Sequence, residues 1–161
     1  MPQFQHLKIL IVDDNQDMRA LLHRMLRSAG IMDIAEAADG RAGIEFLETR
    51  DCDVILSDLD MKPMNGIDFT AEVRASRHRS YSMVPIIMIT GHTELQVVEK
   101  ARDAGITEFI VKPVTMKALQ SRLAEVIERP RTFVRKQSYV GPDRRRRKTD
   151  RGLGRRLDDP S

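Results

Sequence analysis

The stretch that most constrains this chain is Val54-Ile55-Leu56-Ser57-Asp58-Leu59-Asp60-Met61-Lys62-Pro63-Met64-Asn65-Gly66. It opens as a short apolar run, the pattern of a strand covered on both faces. Its polarity then flips at Asp58, and Pro63 and Gly66 force a turn. A strand buried on both faces belongs in a parallel sheet, and such sheets gather ligands and chemistry at the carboxyl ends of their strands. Asp58 is therefore a site candidate. The plainer reading is that it caps the turn or helix that follows.

The rest of the chain repeats the pattern. Lys8 to Val12 reads as a buried strand ending in Asp13-Asp14, with Asn15 as a helix cap before Met18, Leu21, Leu22, Met25 and Ala29. A second strand is expected at Met32 to Ala38 and a second helix from Asp39-Gly40 to about Thr49. The third strand is Val54 to Ser57, followed by a helix from Ile67 to about Arg77 and a polar loop at 78–83. Val84 to Ile89 runs into Thr90-Gly91-His92, and a fourth helix over Leu95 to Arg102 stops at Gly105. Phe109-Ile110-Val111 runs into Lys112-Pro113, and Thr115 caps a fifth helix that Pro130 ends. Five strands alternating with five helices specify an α/β fold, a parallel sheet with helices on both faces.

Charge divides the chain. Residues 1–128 hold 15 Lys and Arg against 20 Asp and Glu, a net of −5, and residues 129–161 hold 12 against 4, a net of +8. The overall +3 therefore belongs to neither part. One folded domain is expected at 1–129 and a basic, flexible tail at 130–161. No apolar run approaches a membrane span, and Met1 to Leu7 lacks the features of a signal peptide. Cys52 is the only cysteine, which excludes an intrachain disulfide and suits the cytoplasm. Packing is its expected role.

In a parallel sheet every strand delivers its carboxyl end to one edge. Asp13, Asp14, Asp58, Thr90 and Lys112 therefore meet. Each has a bland reading as a cap, turn or loop residue, but four strand ends carrying such residues together point to a site. Three convergent carboxylates repel, and a hard divalent cation relieves the repulsion. Mg²⁺ with carboxylate, carbonyl and water ligands leaves room for phosphate. Lys112 supplies a compact positive charge and Thr90 a hydroxyl for phosphoryl oxygens. Such a set positions and neutralises a transferring phosphoryl group, with Asp58, central in the set, as nucleophile.

The blocks Ile11-Val12-Asp13-Asp14, Leu56-Ser57-Asp58 with Met61, Pro63 and Gly66, Met88-Ile89-Thr90-Gly91, and Phe109-Ile110-Val111-Lys112-Pro113 resemble the receiver domain of bacterial two-component response regulators. The similarity spans about residues 7–128 and is greatest to the stand-alone, chemotaxis-regulator kind. It implies a flavodoxin-like strand order 2-1-3-4-5. It implies Asp58 as phosphoacceptor from a sensor histidine kinase or histidine phosphotransfer protein. Asp14 and Asp13 would ligate Mg²⁺ (Mn²⁺ substituting), Asp13 through water, with the Asp60 main-chain carbonyl completing the protein's share. Thr90 and Lys112 would contact phosphate, and the bond before Pro113 would be cis. Thr90 and Phe109 would form the switch that reshapes the face of the fourth helix, fifth strand and fifth helix, a surface for a downstream protein or a homodimer. Phe109 also reads as a plain core aromatic. Asp60 and His92 border the phosphate and would tune its lifetime.

The tail, with Arg144-Arg145-Arg146-Arg147-Lys148 after Gly141-Pro142, admits several readings. It is a solvated tail, a non-specific binder of nucleic acid, a dock for an acidic partner, or an autoinhibitory segment. Phe133, Val134, Tyr139 and Val140 give it apolar anchors, enough for part of it to order as a strand or on a groove. One enzyme reading competes with the receiver. Asp58-Leu59-Asp60 resembles the Asp-x-Asp of haloacid-dehalogenase-like phosphatases, but those enzymes place that motif on the first strand and the acidic pair last. The order here is the reverse.

Overall fold

The computed structural model describes residues 4–77, 80–130, 133–136 and 139–143. Five parallel strands, β1 (Lys8–Val12), β2 (Asp33–Ala37), β3 (Val54–Asp58), β4 (Ile86–Thr90) and β5 (Glu108–Val111), form one sheet in the order β2-β1-β3-β4-β5. They alternate with α1 (Gln16–Ser28), α2 (Gly40–Thr49), α3 (Gly66–Ala75), α4 (Leu95–Ala104) and α5 (Met116–Glu128). The fold is the expected flavodoxin-like α/β arrangement with strand order 2-1-3-4-5.

Successive strand side chains point to opposite faces, so each run feeds two cores. Ile9 and Ile11 join Val54, Leu56, Ile87, Ile89 and Ile110 under Leu22 and Leu26 of α1 and Leu119 and Leu123 of α5. Leu10, Val12, Ile55 and Ile86 pack under Ile44 and Leu47 of α2 and Phe69 and Val73 of α3. A smaller third cluster, Leu59, Met88, Ala101 and Ile106, seats α4. Burial on both faces is why the strands read as unbroken apolar runs.

The helix starts follow the cap residues. Asn15, Asp39, Asn65 and Thr115 each accept the N–H of the residue three positions on, at 2.8–3.1 Å. Gly105 ends α4 at φ 111°, a left-handed C-terminal residue. The third helix ends two residues short of the expected Arg77, and Ser80–Met83 of the expected loop forms a 3-10 turn.

Beyond α5, β6 (Phe133–Lys136) and β7 (Tyr139–Pro142) pair antiparallel as a separate two-stranded ribbon. β7 lies against α3 and α4. The basic run Arg144, Arg145, Arg146, Arg147, Lys148 lies outside the described residues.

The turn from β3 into α3 has no room for a side chain at Gly66. A Cβ there would strike the Asp58 carbonyl oxygen and lie 2.8 Å from Met88 Sδ and 3.0 Å from Leu59 Cα. Gly66 N–H also donates to the Leu59 carbonyl at 2.8 Å. Gly66→Ala is expected to destabilise the protein by about 2 kcal/mol through overpacking. A urea midpoint that falls accordingly, read by circular dichroism, checks this.

Candidate functional site

The carboxyl edge of the sheet is assembled by register. β3 pairs with β1 and β4, and β4 with β5. Asp58 and Thr90 are the last residues of their strands, and Asp13 and Lys112 are the first residues beyond theirs. Carboxylate oxygens of Asp13, Asp14 and Asp58 lie within 4.8 Å of one another. Asp13 and Asp58 are buried and Asp14 is exposed.

Each member is oriented by its neighbours. Asp13 Oδ1 accepts the Asn15 N–H at 2.9 Å. Arg19 Nη1 donates to the Asp13 carbonyl oxygen at 2.8 Å, and Arg19 Nε pairs with Glu36 at 3.2 Å. Asp14 Oδ2 accepts the Lys62 N–H at 3.1 Å, tying the acidic loop to the β3–α3 turn. Lys112 Nζ stands 2.8 Å from Asp58 Oδ1. Thr90 is buried, and its hydroxyl oxygen accepts the His92 N–H at 2.8 Å, which leaves the hydroxyl proton to donate elsewhere. His92 Nε2 meets Asp60 Oδ2 at 2.9 Å, so these two exposed side chains bridge the β3–α3 and β4–α4 loops at the rim. The Lys112–Pro113 peptide is cis, and so is Lys62–Pro63. Phe109 is half-buried beside the third cluster, against the helix α4 side of the sheet.

The electrostatics follow from burial and like charge. Burial pushes the Asp13 carboxyl up to about 6, against its bond from Asn15, with the charges of Asp58 and Asp14 adding to the rise. Burial also raises Asp58, opposed by the hydrogen bond and charge of Lys112. Burial works against the Lys112 charge, but the bond and charge of Asp58, with Asp13 and Asp60, outweigh it and hold the ammonium above its usual range. Three oxygen donors short of positive charge fit a hard divalent cation that keeps waters of its own. The cluster can therefore hold a metal ion. Cys52 has no place here. Its half-buried thiol lies 3.2 Å from the Val54 carbonyl and is pushed up to about 12 by burial, which makes it unreactive.

Two contributors carry no sequence signal. Arg19 lies on an amphipathic helix among other charged residues, and the Lys62 N–H is a backbone group. Only the folded loops reveal that they orient Asp13 and Asp14.

A doubly wound parallel sheet with an acidic pocket at its carboxyl edge is the arrangement of a receiver-type signalling domain. Residues 9–124 match the model of the response regulator receiver domain, and the chain belongs to that family. It is 34% identical over 125 residues to chemotaxis protein CheY-3 of Vibrio cholerae, covering 78% of this chain and 95% of that one. It is 33% identical to chemotaxis protein CheY of Pseudomonas aeruginosa, covering 76% and 98%. Among solved structures, it is similar to the receiver domain of a sensor histidine kinase from Pseudomonas aeruginosa. That structure has a magnesium ion coordinated in the active-site cleft, with a TM-score of 0.69 at 30% identity and coverage of 76% and 98%. No helix among the described residues is long and apolar enough to cross a membrane.

The Asp13 shift predicts a pH dependence. Its folded pKa, about 6, exceeds the ordinary aspartate value of 3.8. The folded state thus holds the proton more tightly, and stability falls as pH rises from about 4 to about 6, with the loss complete above that. The span corresponds to about 3 kcal/mol. Without divalent cation, Tm is expected to be higher at pH 5 than at pH 7. Asp13→Asn, which keeps the acceptor for Asn15, should raise the pH 7 value, and millimolar Mg²⁺ should flatten the wild-type dependence. Calorimetry across pH 4–8 checks all three.

Proposed function

We propose that this chain is a Mg²⁺-dependent response regulator that accepts a phosphoryl group on Asp58. The observation that carries this reading is the buried Asp58 carboxylate, held 2.8 Å from the Lys112 ammonium and grouped with Asp13 and Asp14. The donor is a phosphohistidine of a sensor kinase or of a phosphotransfer protein. An Asp58 oxygen attacks phosphorus, the P–N bond breaks, and the imidazole leaves with a proton. An acyl phosphate remains. Transfer needs Asp58 ionised, and Lys112 favours that form. Asp13, Asp14 and the Asp60 main-chain carbonyl would hold Mg²⁺, which supplies charge neutralisation at the phosphoryl oxygens when bound. Lys112 balances a further oxygen, and Thr90 donates its free hydroxyl proton to another.

Phosphorylation then biases the side of the domain that carries Thr90 and Phe109. Thr90 is drawn toward the phosphoryl group and Phe109 turns inward, reshaping the α4–β5–α5 surface for a downstream protein or a second copy. The receiver unit is residues 1–129, and it works in the cytoplasm with its kinase.

Acetyl phosphate with Mg²⁺ should label the wild type with one acid-stable, base-labile phosphoryl group per chain. Asp58→Asn should take none, and chelator should abolish labelling. Sustained release of phosphate from a generic ester would overturn the reading in favour of a phosphatase.

The Asp60–His92 bridge joins the loops that follow Asp58 and Thr90, and both side chains are exposed. An exposed pair adds little stability, under about 1 kcal/mol, so its effect should be on water access. His92→Ala and Asp60→Asn are expected to hasten loss of the phosphoryl group by about twofold or more, a barrier change of about 0.4 kcal/mol. Phosphate release after rapid removal of donor measures this, and an unchanged rate would exclude the bridge from the chemistry.

A further inference from the structure

The ribbon beyond α5 sits on a built seat. Gly105 lies between α4 and the start of β5, at the end of the sheet opposite Asp58. There the two backbones touch. A Cβ on Gly105 would lie 2.8 Å from the Val140 carbonyl oxygen, and one on Gly141 would lie 2.9 Å from Gly105 Cα. Both glycines have positive φ, 111° and 156°, so each position favours a residue without a side chain twice over. Gly141 and Pro142 are buried. The Tyr139 hydroxyl donates to the Pro142 carbonyl at 2.7 Å and closes the strand end.

Arg74 of α3 braces the same corner from beneath. It is 2% exposed. Its Nε donates to the Gly105 carbonyl at 2.9 Å, and its Nη1 donates to the carbonyls of Ser82 and Val84 at 2.9 and 2.7 Å. The Tyr139 phenol lies near enough to favour the Arg74 charge. A buried guanidinium so placed joins α3, the loop before β4, the end of α4 and the ribbon. None of these contacts serves the phosphoryl site.

The helix they hold is the least anchored of the five. Ala101 is its one buried residue, and Glu94 caps it without a side-chain hydrogen bond. Its seat is the smallest of the three clusters, with Phe109 at the edge. One end of α4 follows Thr90 and the other ends at Gly105 under β7.

We propose that the β6–β7 ribbon is a regulatory latch on α4, seated when Asp58 is unphosphorylated and loosened when it is phosphorylated. This rests on the phosphoacceptor reading above. Seating at Gly105 and phosphorylation at Asp58 bias one weakly held helix from its two ends. By linkage, a ligand that loosens the ribbon must bind more tightly once the ribbon is already loose.

The test uses the full chain with Mg²⁺ and beryllofluoride as the phosphoryl mimic. Amide hydrogen exchange at Tyr139 to Gly141 and in the last turn of α4 is expected to quicken at least fivefold on saturation. Gly141→Val places a branched side chain against Gly105 and should bind beryllofluoride about fivefold more tightly, within the usual span of coupled sites. Tyr139→Phe removes the hydroxyl that bonds the Pro142 carbonyl and lies near Arg74, and should shift affinity in the same direction. If Gly141→Val does not fold, wild-type exchange and Tyr139→Phe decide the matter. Mimic-induced NMR shifts around Asp58 and Lys112 with unchanged ribbon exchange and unchanged affinity in the variants would overturn the latch and leave the receiver reading standing. No shift at Asp58 at all would overturn both.

Discussion

Carboxylate repulsion at one edge of the sheet is the constraint on which the rest depends. Asp13, Asp14 and Asp58 are held within 4.8 Å of one another, and two of them are buried. A fold optimised for stability alone would not keep such a group, because each buried carboxylate loses hydration and gains a like-charged neighbour. Lys112 offsets part of this through its 2.8 Å contact with Asp58. The remainder is left as a demand for positive charge at that edge. Stability given up at a site and restored by ligand is a recurrent arrangement in functional proteins.

The scaffold makes that sacrifice tolerable. Two cores, one on each face of the sheet, bury β1, β3 and β4 and fix the register that brings their last residues together. Gly66 lets α3 start directly against the Asp58 carbonyl, so the strand end is fixed from below as well. Rigidity is concentrated under the carboxylates. The soft part is α4, with a single buried side chain and an N-terminal residue that makes no side-chain cap. Under the proposed function, phosphorylation would place a charge change at this edge, beside the helix with the fewest buried side chains.

Much of this was legible in the chain. The strand runs, the cap residues Asn15 and Thr115, the turn at Asp39-Gly40 into the second helix and the stop at Gly105 were all legible because they follow local rules of side-chain hydrogen bonding and backbone freedom. The polar residues of the site were legible for a topological reason: parallel strands must deliver their ends to one edge. Arg74 was not legible. On an amphipathic helix an arginine reads as solvated, and only the approach of three separate carbonyls from other segments makes it a buried brace. Likewise the Tyr139–Pro142 segment offered apolar anchors but no partner, because its seat is a backbone-to-backbone contact that leaves no pattern in side chains.

The sequence by itself determined the alternation of elements, the parallel sheet and the identity of the residues at its carboxyl edge, because hydrophobic periodicity and capping are encoded within short windows. Tertiary structure alone decided the distances among those residues, the pairing of His92 with Asp60, the orienting roles of Arg19 and the Lys62 N–H, and the seating of the ribbon on α4. These depend on segments far apart in the chain meeting at sub-ångström tolerance, and packing sets that meeting while composition does not.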